Sequence, residues 1–391
     1  MRFLLYAVIS AGIAGCAAMP LAPRMEELLA DESFAPPAVP VPEKSIFTVS
    51  DAMRAFLSGE FADDMRRRGG KAALLHALND ELRLEYDAGD TRTASEAFAA
   101  RSGNCLSLVI LAAALAREMG LTVVFQAVSG YEDWTREGDL AFRSGHVNLR
   151  LDRLEPQGWG QSPNMTSSTI DFIPPPAGVR WRSTRIGDDV VVAMYLNNRA
   201  AELLAAGDVT SAYWWARAAI KRAPEFTTAF NTLGLIHARH GNAISAENNF
   251  RFVLRREPGN PGAMGNLMRN LNRQGRGDEA DELRRRLARI EPYPPYYFLD
   301  LGLGALERGE VTEALELLKK EQKRMPHEHE VQFALAIASL RLGNIRDAHF
   351  YLGRASEYSG TASRRQLYES KLHRLREFSH PRAGSGASEM N

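Results

Sequence analysis

The first half of the chain changes from helical to strand-like spacing of its apolar residues. Between positions 50 and 87 leucines recur at helical intervals, which predicts helices: Leu74, Leu75, Leu78 and Leu82. Two further helices are expected at 94–100 and 104–119. Runs rich in β-branched residues then predict strands at 121–127, 146–151 and 169–173. The pattern therefore predicts an α+β unit in this part of the chain.

The second half repeats with a period of 34 residues. Five glycines keep this step: Gly207, Gly241, Gly275, Gly309 and Gly343. Five alanines keep it as well: Ala212, Ala246, Ala280, Ala314 and Ala348. Four prolines share the period: Pro224, Pro258, Pro292 and Pro326. Three residue classes in one register indicate an array of repeated structural units.

Each repeated residue type suits a pair of packed helices. Glycine permits the positive φ that ends a first helix, alanine permits close approach of two helices, and proline cannot continue the second helix. The pattern resembles the tetratricopeptide repeat, most fully in the second copy, which contains Phe230, Leu233, Gly234, Gly241, Ala246, Phe250 and Pro258. The resemblance implies five repeats over 190–360, forming an all-α superhelix whose concave side binds a protein or peptide partner.

The end of the array departs from the repeat pattern. The fifth copy has Gly360 where the proline would fall. The polar sequence that follows predicts a capping helix at 361–379. A disordered tail is expected at 380–391.

The N-terminus carries a short apolar segment that follows one positive charge. It contains about a dozen apolar or small residues after Arg2, which are too few to span a bilayer. The segment ends in Ile13-Ala14-Gly15-Cys16, which resembles the lipobox of bacterial lipoproteins. The resemblance implies a signal peptide at 1–15 and a lipid anchor on Cys16, while an ordinary signal peptide with a chance cysteine is the alternative.

Two features after Cys16 bear on its surroundings. Ala17 and Ala18 follow it, without the acidic residue that retains some lipoproteins at the inner membrane. The resemblance therefore favours a bacterial cell envelope location, at the outer membrane facing the periplasm. The stretch 16–46 is rich in proline and alanine, which predicts a semi-rigid linker between the membrane and the folded part.

Composition and charge exclude several classes of function. Hydrophobic residues make up 45% and charged residues 25% of the chain, as in ordinary globular proteins. Lys and Arg together number 48, and Asp and Glu together also number 48. This balance argues against nucleic acid as a partner recognised through the net charge of the protein. Neither a metal-ligand spacing nor a glycine-rich phosphate loop occurs, so no metal and no cofactor are expected.

Cys105 stands at the predicted start of the helix 104–119. If Cys16 is acylated, Cys105 has no partner for an intramolecular disulfide and remains a thiol in an oxidising compartment. A helix N-terminus presents backbone N–H groups and the positive end of the helix dipole, which lower the pKa of a thiol toward the reactive thiolate. The position therefore suits a nucleophile.

A thiol nucleophile also needs a base and a residue that orients the base. His146 opens one predicted strand, and Asp171 lies on the next. If these strands pair antiparallel, the Asp171 carboxylate can lie beside the imidazole of His146. Asp152, on the same strand as His146, is the alternative to Asp171. The segment 131–142 is expected to be a connection that either overhangs the cleft or is simply solvated.

The order Cys, His, Asp and the sequence Arg101-Ser102-Gly103-Asn104-Cys105 at a helix start resemble the transglutaminase-like superfamily, over about residues 70–175. The resemblance implies a papain/transglutaminase-like domain at 47–180, with a helix carrying the cysteine packed on antiparallel strands. It implies that Cys105 is the nucleophile, His146 the base and Asp171 the orienting residue.

The sequence departs from this superfamily at one place. The aromatic residue that commonly follows the catalytic histidine is absent, and Val147-Asn148-Leu149 stands there. Two functions therefore remain open. One is a membrane-anchored thiol enzyme, a cysteine protease or amidase or a transglutaminase-like acyltransferase, with the repeats as protein-binding module. The other is an inactive scaffold lipoprotein that assembles envelope or secretion complexes through its repeats.

Overall fold

The computed structural model describes most of the chain, in the ranges 28–37, 40–42, 46–137, 140–152, 168–172, 181–293, 296–359 and 362–379. The signal peptide, Cys16 and the tail at 380–391 lie outside the described residues, so the expectations for them stay predictions. Among the helices of these ranges, none is long and apolar enough to cross a membrane.

The N-terminal unit begins with helices whose ends are set by local capping. They are Asp51–Ser58, Glu60–Arg68, Gly70–His76, Ala94–Ala100 and Cys105–Glu118, with a π-helical turn at Ala77–Glu81. Ser50 caps the first of these helices by accepting a hydrogen bond from the backbone of Met53. Thr93 and Glu96 form a capping box at the start of the helix Ala94–Ala100.

Two sheets complete this unit. A short parallel pair joins β1 (Glu85–Tyr86) to β2 (Ser102–Gly103). The larger sheet is antiparallel, in the order β5-β4-β3-β6. Its strands are β3 (Thr122–Glu137), β4 (Leu140–Asp152), β5 (Ser168–Ile170) and β6 (Arg182–Ile186). The N-terminal unit is thus α+β, and β6 is a strand that the apolar pattern did not predict.

The segment 131–142, expected to be a connection, is largely strand. The register between β3 and β4 shifts between Val128 and Asp133, and pairing then continues to Glu137 opposite Leu140. Strand pairing resumes after this irregularity, so the hairpin extends well beyond its apolar part. The outer part of the hairpin is polar, so no alternation of apolar residues was present to predict a strand there.

The second half consists of paired helices that follow the 34-residue period. The pairs are Asp188–Ala205 with Val209–Arg222, Thr227–His240 with Ala243–Arg256, Pro261–Arg273 with Gly277–Ile290, Tyr297–Glu307 with Val311–Arg324, and His329–Arg341 with Ile345–Glu357. The helix Ala362–Ser379 follows the last pair and packs on it. We number these pairs repeats 1 to 5.

Two glycines of repeat 2 show why the repeat needs this residue. Gly241 has a φ of +95° and ends the first helix, a conformation that side chains with a Cβ rarely adopt. A Cβ atom at Gly234 would lie 2.4 Å from the ring of Phe250, so the two helices can only pack this closely around a glycine. These two glycines therefore have the structural roles that the repeat pattern predicts.

One buried cluster runs from the N-terminal unit into the first two repeats. It includes Ile110 of the helix Cys105–Glu118, Leu149 of β4, Val191 of repeat 1 and Leu233 of repeat 2. The N-terminal unit and the start of the array therefore share a core.

Part of the stretch expected to be a linker joins this core. Leu28 is fully buried, Phe34 is 6% exposed, and both belong to the shared cluster. The leucines and the phenylalanine of this segment interrupt the proline and alanine composition on which the linker prediction depended. Their apolar surface is removed from water against repeats 1 and 2.

Candidate functional site

Cys105 is the first residue of a 14-residue helix. Asn104 caps this helix, and its side-chain oxygen accepts hydrogen bonds from the backbone N–H and the hydroxyl of Ser107, both at 2.9 Å. Cys105 is partly exposed and forms no disulfide. Its thiol therefore lies where the dipole of a long helix favours the thiolate and where a reagent can reach it.

The turn before Cys105 is held by the β1–β2 pair. The backbone N–H of Glu85 donates to the carbonyl of Arg101 at 2.9 Å, and that of Asp87 donates to the carbonyl of Gly103 at 3.0 Å. A Cβ atom at Gly103 would lie only 2.7 Å from the Cβ atom of Ser107. The glycine two residues before the cysteine is thus required by the close packing of the turn on the helix.

His146 and Asp171 are brought together by adjacent strands. Leu149 on β4 is opposite Ile170 on β5 in an antiparallel ladder, which places Asp171 next to the end of β4 that carries the histidine. Nε2 of His146 lies 2.8 Å and 3.0 Å from the two carboxylate oxygens of Asp171. His146 is 5% exposed. The carboxylate therefore fixes the orientation of a buried imidazole.

This contact also selects the tautomer of His146. When the neutral ring donates its Nε2–H to Asp171, Nδ1 carries the lone pair and is the basic nitrogen. Asn148, two residues after His146 on the same strand, is fully buried and donates to Asp171 at 3.1 Å. The carboxylate is therefore held by two side chains of the same strand.

The alternative residue Asp152 lies at the far end of β4. It is paired with Thr122, while His146 is paired with Val128. Six residues of extended strand span about 20 Å, so the backbones of Asp152 and His146 lie far apart. Of the two acids, Asp171 is the one that the fold places beside the histidine.

The helix that begins with Cys105 packs on β4, the strand that carries His146.

A chain of hydrogen bonds joins the Cys105 turn to the first repeat. Asn104 donates to the hydroxyl of Thr91 at 2.8 Å. Both the hydroxyl and the backbone N–H of Thr91 donate to the same carboxylate oxygen of Glu202, at 2.6 Å and 2.8 Å. Arg199 donates to the other oxygen of Glu202 at 2.6 Å. The sequence offered no signal for this link, because Thr91 and Glu202 are 111 positions apart.

Burial raises the pKa of Glu202, although the hydrogen bonds from Thr91 and the charge of Arg199 oppose this effect. The carboxylate is therefore costly to bury without these partners. Through Thr91 and Asn104, Glu202 of repeat 1 is connected to the N-terminal cap of the helix that begins with Cys105.

One group of side chains in the described ranges could surround a cation. His76 Nδ1 lies 3.4 Å from a carboxylate oxygen of Asp64 and 3.2 Å from one of Glu81. Arg68 donates to the other oxygen of Asp64 at 2.7 Å and lowers the pKa of that carboxyl. A guanidinium therefore already contacts Asp64, whose side chain is buried, while His76 is partly exposed and Glu81 is exposed.

Comparisons with known proteins find likeness to tetratricopeptide repeat proteins. A thermophilic protein of this class from Thermus thermophilus is 23% identical, and the match covers 46% of this chain and 99% of that one with a TM-score of 0.30. PilF of Pseudomonas aeruginosa is 20% identical, with coverage of 47% and 84% and a TM-score of 0.30. YrrB, described as having an unusual peptide-binding site, is 16% identical, with coverage of 46% and 92% and a TM-score of 0.25.

No protein-family model matches the chain, and no curated protein matches it. Each of these three solved structures matches less than half of the chain, at a TM-score of 0.30 or below. The repeat fold of the second half therefore rests on its own 34-residue period and on the five helix pairs that follow it.

Proposed function

We propose that this protein is a transglutaminase-like thiol enzyme that acts on amide bonds of protein or peptide substrates. Cys105 is the nucleophile, His146 the base and Asp171 the orienting residue. The observation that carries the proposal is the hydrogen bond between His146 Nε2 and Asp171, at 2.8 Å, on a sheet against which the Cys105 helix packs. A carboxylate that fixes the tautomer of an imidazole is the arrangement by which thiol enzymes orient their base.

The proposed reaction proceeds through a thioester. His146 takes the proton of the Cys105 thiol, and the thiolate attacks the carbonyl carbon of the amide. When the C–N bond breaks, the leaving amine takes the proton from the imidazolium, and the acyl group stays on sulfur. Water then releases a carboxylic acid, or a second amine releases a new amide, and the thiol is restored. Asp171 stabilises the imidazolium that forms in each half of the reaction.

The backbone N–H of Cys105 supports the negative charge of the tetrahedral intermediate. It lies in the first turn of the helix, at the positive end of the helix dipole, which favours a negative charge there. A backbone donor fixed in a helix turn needs little reorganisation when that charge develops.

The proposal includes the place of the protein in the cell. Lipidation of Cys16 anchors it to a bacterial membrane, with the outer membrane facing the periplasm as the favoured site. Two or three acyl chains suffice for stable anchoring, at about 0.8 kcal/mol per buried methylene group. The repeats then present protein partners to the N-terminal unit.

A scaffold without turnover is the second candidate. It is favoured by the absence of the superfamily's aromatic residue after His146, where Val147-Asn148-Leu149 stands, and by Asn148, which donates to the carboxylate that the base needs. In that case the fold of the N-terminal unit is kept for assembly, and the repeats hold the partners of an envelope or secretion complex.

The rate of alkylation at Cys105 distinguishes the two candidates. The full chain is treated with iodoacetamide at neutral pH, and the modification of Cys105 is followed by peptide mass spectrometry. We expect it to react at least about tenfold faster than glutathione, because the helix dipole and the base favour the reactive thiolate. His146→Ala should remove this advantage, whereas Asp152→Asn should retain it. If Cys105 of the wild type reacts at the rate of glutathione, and His146→Ala does not change that rate, the enzyme proposal fails. The scaffold is then the candidate that remains.

A further inference from the structure

A segment near the N-terminus lies across the first two repeats. We call residues 28–35 the docked segment. Leu28 and Leu29 are helical, and a three-residue 3-10 turn, Asp31–Ser33, follows them. Leu28 is fully buried and Leu29 is 5% exposed. Both leucines belong to the cluster that includes residues of repeats 1 and 2, so the repeats contribute to their burial.

The aromatic part of the contact centres on Phe34. Its ring stacks on Tyr213 of repeat 1, with centroids 3.9 Å apart and planes inclined by 5°. The rings of His240 and His237, on the first helix of repeat 2, lie 4.5 Å and 5.5 Å away. Three aromatic rings of the array therefore form a pocket for one aromatic side chain.

The charged part of the contact centres on Asp31. Arg217 Nε donates to one carboxylate oxygen at 2.7 Å, and Nη2 donates to the other at 2.6 Å. The hydroxyl of Tyr213 also donates to Asp31. The bond to Arg217 lowers the pKa of this carboxyl, so Asp31 is ionised at neutral pH. A bidentate contact of this kind selects a carboxylate by shape as well as by charge.

The repeats also bind the backbone of the docked segment. Asn249 of repeat 2 donates from its side chain to the carbonyl of Leu28 at 2.9 Å. The indole N–H of Trp214 in repeat 1 donates to the carbonyl of Ala35 at 2.6 Å. Ala30 adopts a left-handed conformation, with a φ of 55°. That conformation is unfavourable for a residue with a Cβ, so contacts with the repeats must stabilise it.

Together these contacts form a groove with separate places for a carboxylate, an aromatic ring and the main chain of a peptide. We propose that this groove, lined by Tyr213, Trp214, Arg217, His240 and Asn249, is a peptide-binding site for segments with an aspartate three residues before an aromatic residue. The protein's own docked segment occupies the site in cis. A partner protein that carries such a segment binds by displacing it.

The inference deepens the proposed role of the repeats as a protein-binding module and rests on that role. It does not depend on the chemistry of Cys105. A segment attached to the same chain competes at a high effective concentration, so displacement needs a partner of matching pattern or a high local concentration. The site is therefore selective while it is occupied.

A labelled peptide with the sequence of residues 28–37 tests the proposal. Its binding is measured by fluorescence anisotropy to the full wild-type chain and to the full chain carrying Asp31→Lys and Phe34→Ala, which empties the groove. We expect the variant to bind the peptide at least about tenfold more tightly than the wild type, because the competing segment is released. A peptide with the same two substitutions should not bind, and adding Arg217→Ala to the emptied chain should abolish binding.

A second measurement does not require a variant of the docked segment. A protease site is inserted between Pro37 and Pro40, the folded chain is cut, and the cut N-terminal piece is challenged with excess peptide. Exchange of the piece for the peptide, with the circular dichroism of the repeats unchanged, supports the proposal. Failure to exchange, loss of the helical signal on exchange, or equal binding by wild type and emptied variant would show that the docked segment is a fixed part of the core. None of these outcomes alters the alkylation test of the proposed enzyme.

Discussion

Gly103 and Asn104 determine locally where the Cys105 helix begins. The glycine lets the preceding turn approach Ser107, and the asparagine caps the helix through the backbone and hydroxyl of the same serine. The Ser107 hydroxyl also accepts from the backbone N–H of Arg92 at 2.8 Å. These contacts explain, residue by residue, why glycine and asparagine precede the cysteine.

Gly103→Ala tests this explanation. The added methyl group would overlap Ser107, so we expect the free energy of unfolding to fall by about 1–3 kcal/mol and alkylation of Cys105 to slow as the turn shifts. Chemical denaturation and the alkylation rate measure the two effects. Gly265→Ala is the matched control, because nothing lies within 4 Å of its added Cβ and alanine favours the helix. Equal stability of the two variants would show that the turn does not need a glycine.

The elements of the N-terminal unit were predictable to different degrees. The helix at Cys105 and the first strands followed from apolar spacing, and the pairing of His146 with Asp171 followed from the assumption that their strands are antiparallel. The outer part of the β3–β4 hairpin could not be predicted, because backbone pairing forms it without an apolar pattern. The docked segment could not be predicted either, because its partners Tyr213 and Arg217 are more than 180 positions away.

The link between the Cys105 turn and repeat 1 depends on the Thr91 hydroxyl. Thr91→Val keeps the shape of the side chain but removes its bonds to Asn104 and Glu202. We expect a loss of about 1–2 kcal/mol in the free energy of unfolding, because the partly buried carboxylate of Glu202 loses a donor. Alkylation of Cys105 should slow as the helix cap loosens. Thr312→Val, on an exposed helical position of repeat 4, should leave the alkylation rate unchanged.

Two other outcomes for the stability and the alkylation rate of Thr91→Val would contradict this expectation. If Thr91→Val lowers stability but leaves the alkylation rate at the wild-type value, the link stabilises the fold without positioning the cysteine. If neither quantity changes, the hydrogen bonds through Thr91 contribute nothing to the folded state.

The protein as a whole joins a catalytic candidate to a repeat array through one core. The shared cluster runs from the Cys105 helix through β4 into repeats 1 and 2. The later repeats have clusters of their own, such as the one that contains Leu299 and Leu318 of repeat 4. We therefore expect the N-terminal unit and the first repeats to unfold together, since neighbouring units of an array are coupled through their interfaces.

The proposed membrane anchoring can be tested by one substitution in the full chain. Cys16→Ser removes the proposed site of lipidation, so the protein should move from the membrane fraction to the soluble fraction of bacterial cells. Immunoblotting of the two fractions measures the change. Cys105→Ser is the matched control, because it removes the other cysteine without touching the anchor. A Cys16→Ser protein that stays with the membrane would contradict the lipid anchor.

The thiolate of Cys105 provides the most direct test of the central claim, that an oriented imidazole activates this sulfur. Ultraviolet absorbance of the thiolate is followed as a function of pH in the full chain carrying Cys16→Ser, with Cys105 as its remaining cysteine. We predict that the thiolate persists well below the pH at which an ordinary cysteine is protonated, and that Asp171→Asn shifts the transition toward the ordinary value. A transition at the ordinary value in the parent chain, unmoved by Asp171→Asn, would contradict it.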